Sequence, residues 1–219
     1  MYFQFLVEDC STEILVSHIM TKIQKQYMEK KIFYDIKSFK GIGHLPQRGT
    51  VMERKTGQLL NDLPQYLRGF DKRMRSMGQA ALVVVMDNDT REPEKFRKQL
   101  EEMAKKNMVS VDYVFCIAVK EMEAWLLGDI QAIEKAYPNV RKNYLREYVQ
   151  DGICDTWEVL ANMVYPGGIN KLKKRAANLY MEIGKAKSEW AEKIGKELQL
   201  KHNLSPSFQF FIGQLEKRI

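Results

Sequence analysis

The run Ala80-Ala81-Leu82-Val83-Val84-Val85-Met86, which stops at Asp87-Asn88-Asp89-Thr90, is the strongest constraint on how this chain can fold. A valine-rich stretch without polar alternation has no side to offer water, so it reads as a strand covered on both faces, as in a parallel sheet. Parallel pairing needs long crossovers, and these are usually helical. In open α/β sheets ligands bind just beyond the carboxyl ends of the strands. Asp87 and Asp89 lie at that edge, and two carboxylates there resist mutual approach unless a cation neutralises them. The pair reads as half of a divalent-metal site.

The flanking sequence repeats strand and then helix. Residues 2–7 form an apolar strand, and residues 12–30 a helix whose stripe is Leu15, Ile19, Ile23 and Tyr27, with Asp9 or Ser11 as its cap. Residues 32–39 alternate like a half-buried strand and end in Gly41-Ile42-Gly43-His44-Leu45-Pro46. Leu60, Leu63, Leu67, Phe70 and Met74 mark an amphipathic helix, irregular near Pro64, whose other face carries Arg68, Lys72, Arg73 and Arg75. Residues 92–106 form a helix with Pro93 in its first turn, and residues 111–119 a fourth strand. Beyond residue 120 the pattern is helical over 121–136, 141–150, 155–164, 170–183 and 186–200, with breaks at Pro138, Pro166-Gly167-Gly168 and Leu204-Ser205-Pro206. The expected architecture is α/β: a mostly parallel four-stranded sheet flanked by helices over residues 1–125, with an α-helical C-terminal extension over 126–219 packed on it.

A chain of 219 residues has ample length for a proper core. Its 35 basic and 28 acidic residues, a net charge of +7, favour an anionic partner. No apolar run approaches the roughly 20 residues of a membrane span, and the N-terminus lacks a basic leader. Cys10, Cys116 and Cys154 are scattered and make neither a zinc nor a disulfide framework, which fits a reducing cytosol. A soluble cytoplasmic protein with no membrane partner is expected.

Acids recur at the same sheet edge. Glu8 follows the first strand, Glu13 lies in the first turn of the next helix, and Glu121 and Glu123 follow the fourth strand. Carboxylates converging from several strand ends could hold Mg²⁺, with Mn²⁺ as its substitute, and would suit metal-assisted phosphoryl transfer. Each acid also has a plainer explanation. Asp-x-Asp is a common turn, and Glu8, Glu13, Glu121 and Glu123 all sit near helix N-termini, where the macrodipole favours acids. On a helix Glu121 and Glu123 lie ~200° apart, so only one can face the site; Glu123 is the better placed.

Val7-Glu8-Asp9-Cys10-Ser11-Thr12-Glu13 resembles the "E-G-x-x-T-E" opening of Toprim domains, particularly those of OLD-type nucleases, and Val84-Val85-Met86-Asp87-Asn88-Asp89 resembles their "D-x-D" strand. Phe39-Lys40-Gly41-Ile42-Gly43-His44, Glu121-Met122-Glu123-Ala124-Trp125-Leu126-Leu127 and Ser205-Pro206-Ser207-Phe208 resemble stand-alone Toprim-like proteins grouped as DUF4276. The resemblance implies a Toprim fold with Mg²⁺ held by Glu8, Asp87 and Asp89, Glu8 as general acid/base and Glu13 serving a second metal. Asp9 stands where the family has glycine; either it adopts that backbone unaided or it adds a carboxylate. Gly184-Lys185-Ala186-Lys187-Ser188-Glu189-Trp190 resembles a lysine-containing stretch of such proteins, with Lys185 and Lys187 the candidates to stabilise charge on phosphate, each set against an ordinary solvated lysine.

Residues 170–201 carry nine basic residues against four acids. This is either a solvated face or a phosphate-tracking surface giving sequence-independent binding to DNA or RNA. Lys173, Lys174 and Lys187 are its candidate contacts, joined by Lys40 and His44 from the glycine loop. The expected activity is that of a Mg²⁺-dependent nuclease or related phosphoryl-transfer enzyme on nucleic acid. No Gly-x-x-x-x-Gly-Lys-Ser/Thr loop is present, so any ATPase would act in trans. Relatives by this resemblance are associated with phage defence. Two alternatives stand. One is a haloacid-dehalogenase-type phosphohydrolase, although Arg91 occupies the position where that motif has Thr or Val. The other is a non-catalytic nucleic-acid-binding or regulatory module.

Overall fold

The computed structural model describes residues 1–45, 57–175 and 179–219. Strands β1 (Tyr2–Val7), β2 (Phe33–Ser38), β3 (Ala80–Asp87) and β4 (Asp112–Ala118) form a four-stranded sheet in the order β2-β1-β3-β4, with every pair parallel. Flanked by helices and followed by a helical C-terminal third, this sheet makes an α/β fold consistent with a Toprim-like layout. Because β1, β3 and β4 are consecutive neighbours, their carboxyl ends lie side by side: Val7 is in register with Val85, and Asp87 with Ala118.

Strand geometry sends successive side chains to opposite faces, and the core divides accordingly. Phe3, Phe5 and Val7 join Ala81, Val83 and Val85 on the face covered by α1 (Cys10–Gln26). Leu6 joins Leu82, Val84 and Met86 on the face covered by α2 (Leu59–Met74) and α3 (Pro93–Lys106). Both faces of β3 are dry, so its sequence is apolar throughout. The edge strand β2 keeps its alternation because one of its faces is exposed.

The C-terminal helices are α4 (Glu123–Leu127), α5 (Ile130–Ala136), α6 (Thr156–Val164), α7 (Gly168–Arg175), α8 (Leu179–Glu197) and α9 (Pro206–Glu216). They extend the core on the α1 side. α8 lies along α1 and buries Trp190, Ala191 and Ile194. From α9, Phe211 stacks on Trp125 at 5.0 Å and meets Phe5 edge-on at 6.4 Å, tying the C-terminus to the sheet. Burial of such side chains contributes roughly 2–3 kcal/mol each.

The helix expected over 12–30 ends at Gln26, and three further boundaries differ from the sequence pattern. The helix expected over 121–136 is split into α4 and α5, because the backbone at Gly128 packs so closely on Asn203 and Ser205 that a Cβ would overlap them. Asp129 then caps α5 by accepting from the Ala132 N–H at 3.0 Å. In place of a helix over 141–150 there is one 3₁₀ turn, Lys142–Leu145. Beyond it Asp151 takes a left-handed conformation (φ 55°) and accepts from the Ser207 N–H at 3.0 Å, in the first turn of α9. α8 runs unbroken through Gly184 and Lys185, which are exposed, so a glycine there costs only helix propensity. Pro46 of the glycine loop, and residues 176–178 of the helix expected over 170–183, lie outside the described residues. Among the described residues no helix is long and apolar enough to cross a membrane.

Candidate active site at the carboxyl edge

Asp87 ends β3, and its backbone N–H donates to Glu8 Oε2 at 3.1 Å, stapling the ends of β1 and β3 together. Glu123, the first residue of α4, enters from beyond β4 with its side chain 1% exposed. Lys187 reaches in from α8, only 19% exposed, and its ammonium donates to Glu123 Oε2 at 3.1 Å. The other oxygen, Glu123 Oε1, is buried without a hydrogen-bond partner among the described residues.

The electrostatics follow from crowding acids into a covered place. Burial pushes Glu8 up to about 8; the Asp87 N–H opposes this, Asp9 and Asp89 add to it, and Lys187 opposes it again. Burial, then the charges of Glu8 and Glu123, hold Asp87 well above the ordinary carboxylate range. Burial raises Glu123 too, with Lys187 opposing. Burial alone would lower Lys187, yet Glu123, Asp87 and Glu121 outweigh it and hold the ammonium charged. Among the described residues, Lys187 is thus the cation whose charge Glu8, Asp87 and Glu123 all feel, though it touches only Glu123. Such a cluster must keep protons or take up another cation.

The other expected site residues fall nearby or elsewhere. Asp89 adopts a left-handed conformation (φ 49°), and its half-exposed carboxylate pairs with Arg91 at 3.1 Å, although Glu8 still feels its charge. Between the two aspartates, fully buried Asn88 accepts from the Lys120 N–H at 2.6 Å and donates to the Arg91 carbonyl. Asn88 therefore builds the turn that presents Asp87. Asp9 is extended (φ −150°), so it needs no glycine, and its carboxylate caps α1 by accepting from the Thr12 N–H at 2.8 Å. Glu13 accepts from the Ser38 hydroxyl and joins α1 to the end of β2. Glu121 accepts from Thr156 Oγ1 at 2.6 Å and from the Trp157 N–H at 3.2 Å, capping α6, so of the two glutamates it is Glu123 that enters the cluster.

Lys185 lies outside the cluster, exposed and paired with Glu182 at 2.9 Å. Of the two candidate lysines, Lys187 is the one inside it. Lys187 is three residues before Trp190 and four before Ala191, on the buried stripe of α8. Lys173 pairs with Glu158 at 2.8 Å and lies over the Trp157 ring, while Lys174 is exposed. Lys193 and Lys196 also have carboxylate partners, so much of the basic excess of α7 and α8 is internally neutralised. Lys40 and His44 are exposed at the glycine loop. There the Gly41 N–H donates to the Glu8 carbonyl at 3.0 Å and the His44 N–H to Asn61 Oδ1 at 2.7 Å, so these amides serve the fold. Gly43 (φ 68°) has no room for a Cβ against Gln58 and Asn61.

Among the described residues no three His, Cys, Asp or Glu side chains are gathered tightly enough to enclose an ion. Mg²⁺ needs less than that, since it takes one or two carboxylates and keeps several waters. The all-oxygen donors, the shortage of positive charge and the orphaned Glu123 Oε1 fit a hard divalent cation at Glu8 and Asp87, with Asp89 beside them.

These features define a parallel-sheet α/β protein with an under-neutralised acidic centre at its carboxyl edge. The chain belongs to the DUF4276 family, a domain of unknown function whose model matches residues 7–216. No curated protein and no solved structure matches it.

Proposed function

We propose that this protein is a Mg²⁺-dependent nuclease, a phosphodiester hydrolase acting on DNA or RNA, with Mn²⁺ able to replace Mg²⁺. The observation that carries the reading is the Glu8–Asp87 contact and the Glu123–Lys187 pair meeting at the edge where α/β sheets bind ligands. Glu8, held against the Asp87 N–H at the end of β1, is suited to take a proton from the attacking water and return it to the leaving oxygen. Lys187 supplies fixed positive charge against the phosphate. Glu8, Asp87 and Asp89 would hold the metal, which when bound neutralises charge developing on the phosphoryl oxygens. A cytoplasmic location, an ATPase partner acting in trans and a role in phage defence belong to the same reading. The haloacid-dehalogenase alternative is weaker, because Arg91 fills a position that chemistry needs for Thr or Val and is paired with Asp89.

The test incubates purified protein with supercoiled plasmid, single-stranded DNA and RNA, with Mg²⁺, Mn²⁺ or EDTA, beside Asp87→Asn and Glu8→Gln. Metal-dependent cleavage that each substitution lowers at least ~100-fold is expected, the scale on which removing an acid/base group or a charge stabiliser acts. Cleavage indifferent to Asp87→Asn would remove the assignment. Hydrolysis of p-nitrophenyl phosphate without cleavage would transfer it to the dehalogenase type, and binding without hydrolysis to a non-catalytic module.

A further inference from the structure

The edge strand β2 is only half covered. Its register sets Lys37 beside Leu6 and Asp35 beside Gln4, so Phe33, Asp35 and Lys37 look to the α2 side of the sheet. All three are exposed, Phe33 at 62%. α2 forms the facing wall with half-buried Tyr66 and Phe70, one helical turn apart, their rings 6.1 Å between centroids and tilted by 23°. Phe39 braces Tyr66 edge-on at 5.0 Å. Beside these rings lies an open depression of about 330 Å³ lined by Gln65, Tyr66, Gly69, Phe70 and Arg73. A Cβ on Gly69 would meet nothing within 4 Å, so the gap is clear.

Cations border the rings. Lys37 Nζ lies 5.8 Å from the Phe39 ring, Arg73 reaches to 3.8 Å from Asp35, and Lys40 is exposed at the upper end. The acid of the groove, Asp35, is engaged by Arg73 and by the Tyr2 hydroxyl at 2.8 Å. The upper end joins the acidic centre: the Phe39 N–H donates to the Val7 carbonyl and the Gly41 N–H to the Glu8 carbonyl, both at 3.0 Å.

We propose that this depression on α2, with the exposed β2 edge beside it, is a stacking track for single-stranded nucleic acid that leads a strand toward Glu8 and Asp87. Near-parallel, partly open rings edged by cations match unpaired bases strung on a phosphate backbone. A duplex keeps its base faces hidden, and an apolar protein partner would have no use for the cations. The inference rests on the nucleic-acid reading of the carboxyl edge and deepens it by naming the strandedness of the substrate.

The test measures fluorescence anisotropy of labelled oligodeoxythymidine and of a duplex of equal length, in EDTA so that binding is read apart from cleavage. Tighter binding of the single strand is expected, weakened about ten-fold by Phe70→Ala and again by Tyr66→Ala, the scale of one lost base stack. Tyr66→Phe, which keeps the ring, should bind as wild type does, and unchanged melting of each variant excludes misfolding. Equal affinity for duplex and single strand, or aromatic variants that bind normally, would overturn the proposal. So would a concentration-dependent dimer that Phe70→Ala dissolves, since that gives the groove to a second copy of the chain. Tight binding that needs the aromatics but comes without metal-dependent cleavage would defeat the nuclease reading and leave the track standing.

Discussion

Two aspartates at opposite ends of the same sheet meet opposite fates. Asp71, near the end of α2, is 3% exposed. It accepts from the Ser110 N–H at 2.6 Å, the Ser110 hydroxyl at 2.9 Å, the Val111 N–H at 2.8 Å and the Arg75 guanidinium. Burial alone would raise it, but these donors bring it down to about 2. Asp87, at the carboxyl edge, is partly covered, yet its strongest neighbours are Glu8 and Glu123, and it is held well above the usual range. A carboxylate surrounded by donors fastens the fold. One surrounded by other carboxylates stores unfavourable energy that a cation or a substrate can relieve.

The largest effect should separate these two residues directly. Asp71→Ala removes the acceptor shared by the Ser110 and Val111 N–H groups and the Arg75 guanidinium, and is expected to destabilise by about 3 kcal/mol. Asp87→Ala should leave metal-free stability unchanged or raise it by about 1 kcal/mol while removing activity. Urea titrations of both variants without metal decide it, and equal losses would erase the contrast. Next comes Lys187→Met, which strips Glu123 of its buried partner and should cost about 3 kcal/mol. Adding Glu123→Gln should recover most of that loss in the same titration, marking the charge rather than the packing as the cause.

The two edges should also respond oppositely to pH. Asp71 is lowered from 3.8 to about 2, so its contribution is present above 3.8 and is lost as pH falls toward 2. Glu8 is raised from 4.5 to about 8, so metal-free protein should lose stability as pH rises from 4.5 through 8. Mg²⁺ should restore it on the alkaline side. Melting temperatures at pH 3, 5.5 and 8.5, with and without Mg²⁺, would expose a failure of either sign. The smallest effect is expected at Lys185→Ala, within about 0.5 kcal/mol, since the exposed pair with Glu182 is worth little. Activity should survive that change, in contrast to Lys187→Met.

The strands were legible because a parallel strand buried on both faces leaves a local trace: the uninterrupted Ala80–Met86 run, against the alternating edge strand that ends at Ser38. The stripe of α1 was equally local. Helical spacing allowed only one of Glu121 and Glu123 to face the site, and the structure gives these residues different partners, the first turn of α6 and Lys187. The split at Gly128 and the left-handed turn at Asp151 were not legible. Their causes, Asn203 and the first turn of α9, lie far along the chain.

The sequence by itself determined the repeating strands and helices and the lining of one sheet edge with acids, because periodicity and strand-end position are properties of neighbouring residues. Only the tertiary structure decided which acids act together and which lysine answers them. Glu8, Asp87, Glu123 and Lys187 come from four separate elements, and their protonation depends on how deeply folding buries them and how few donors it leaves within reach.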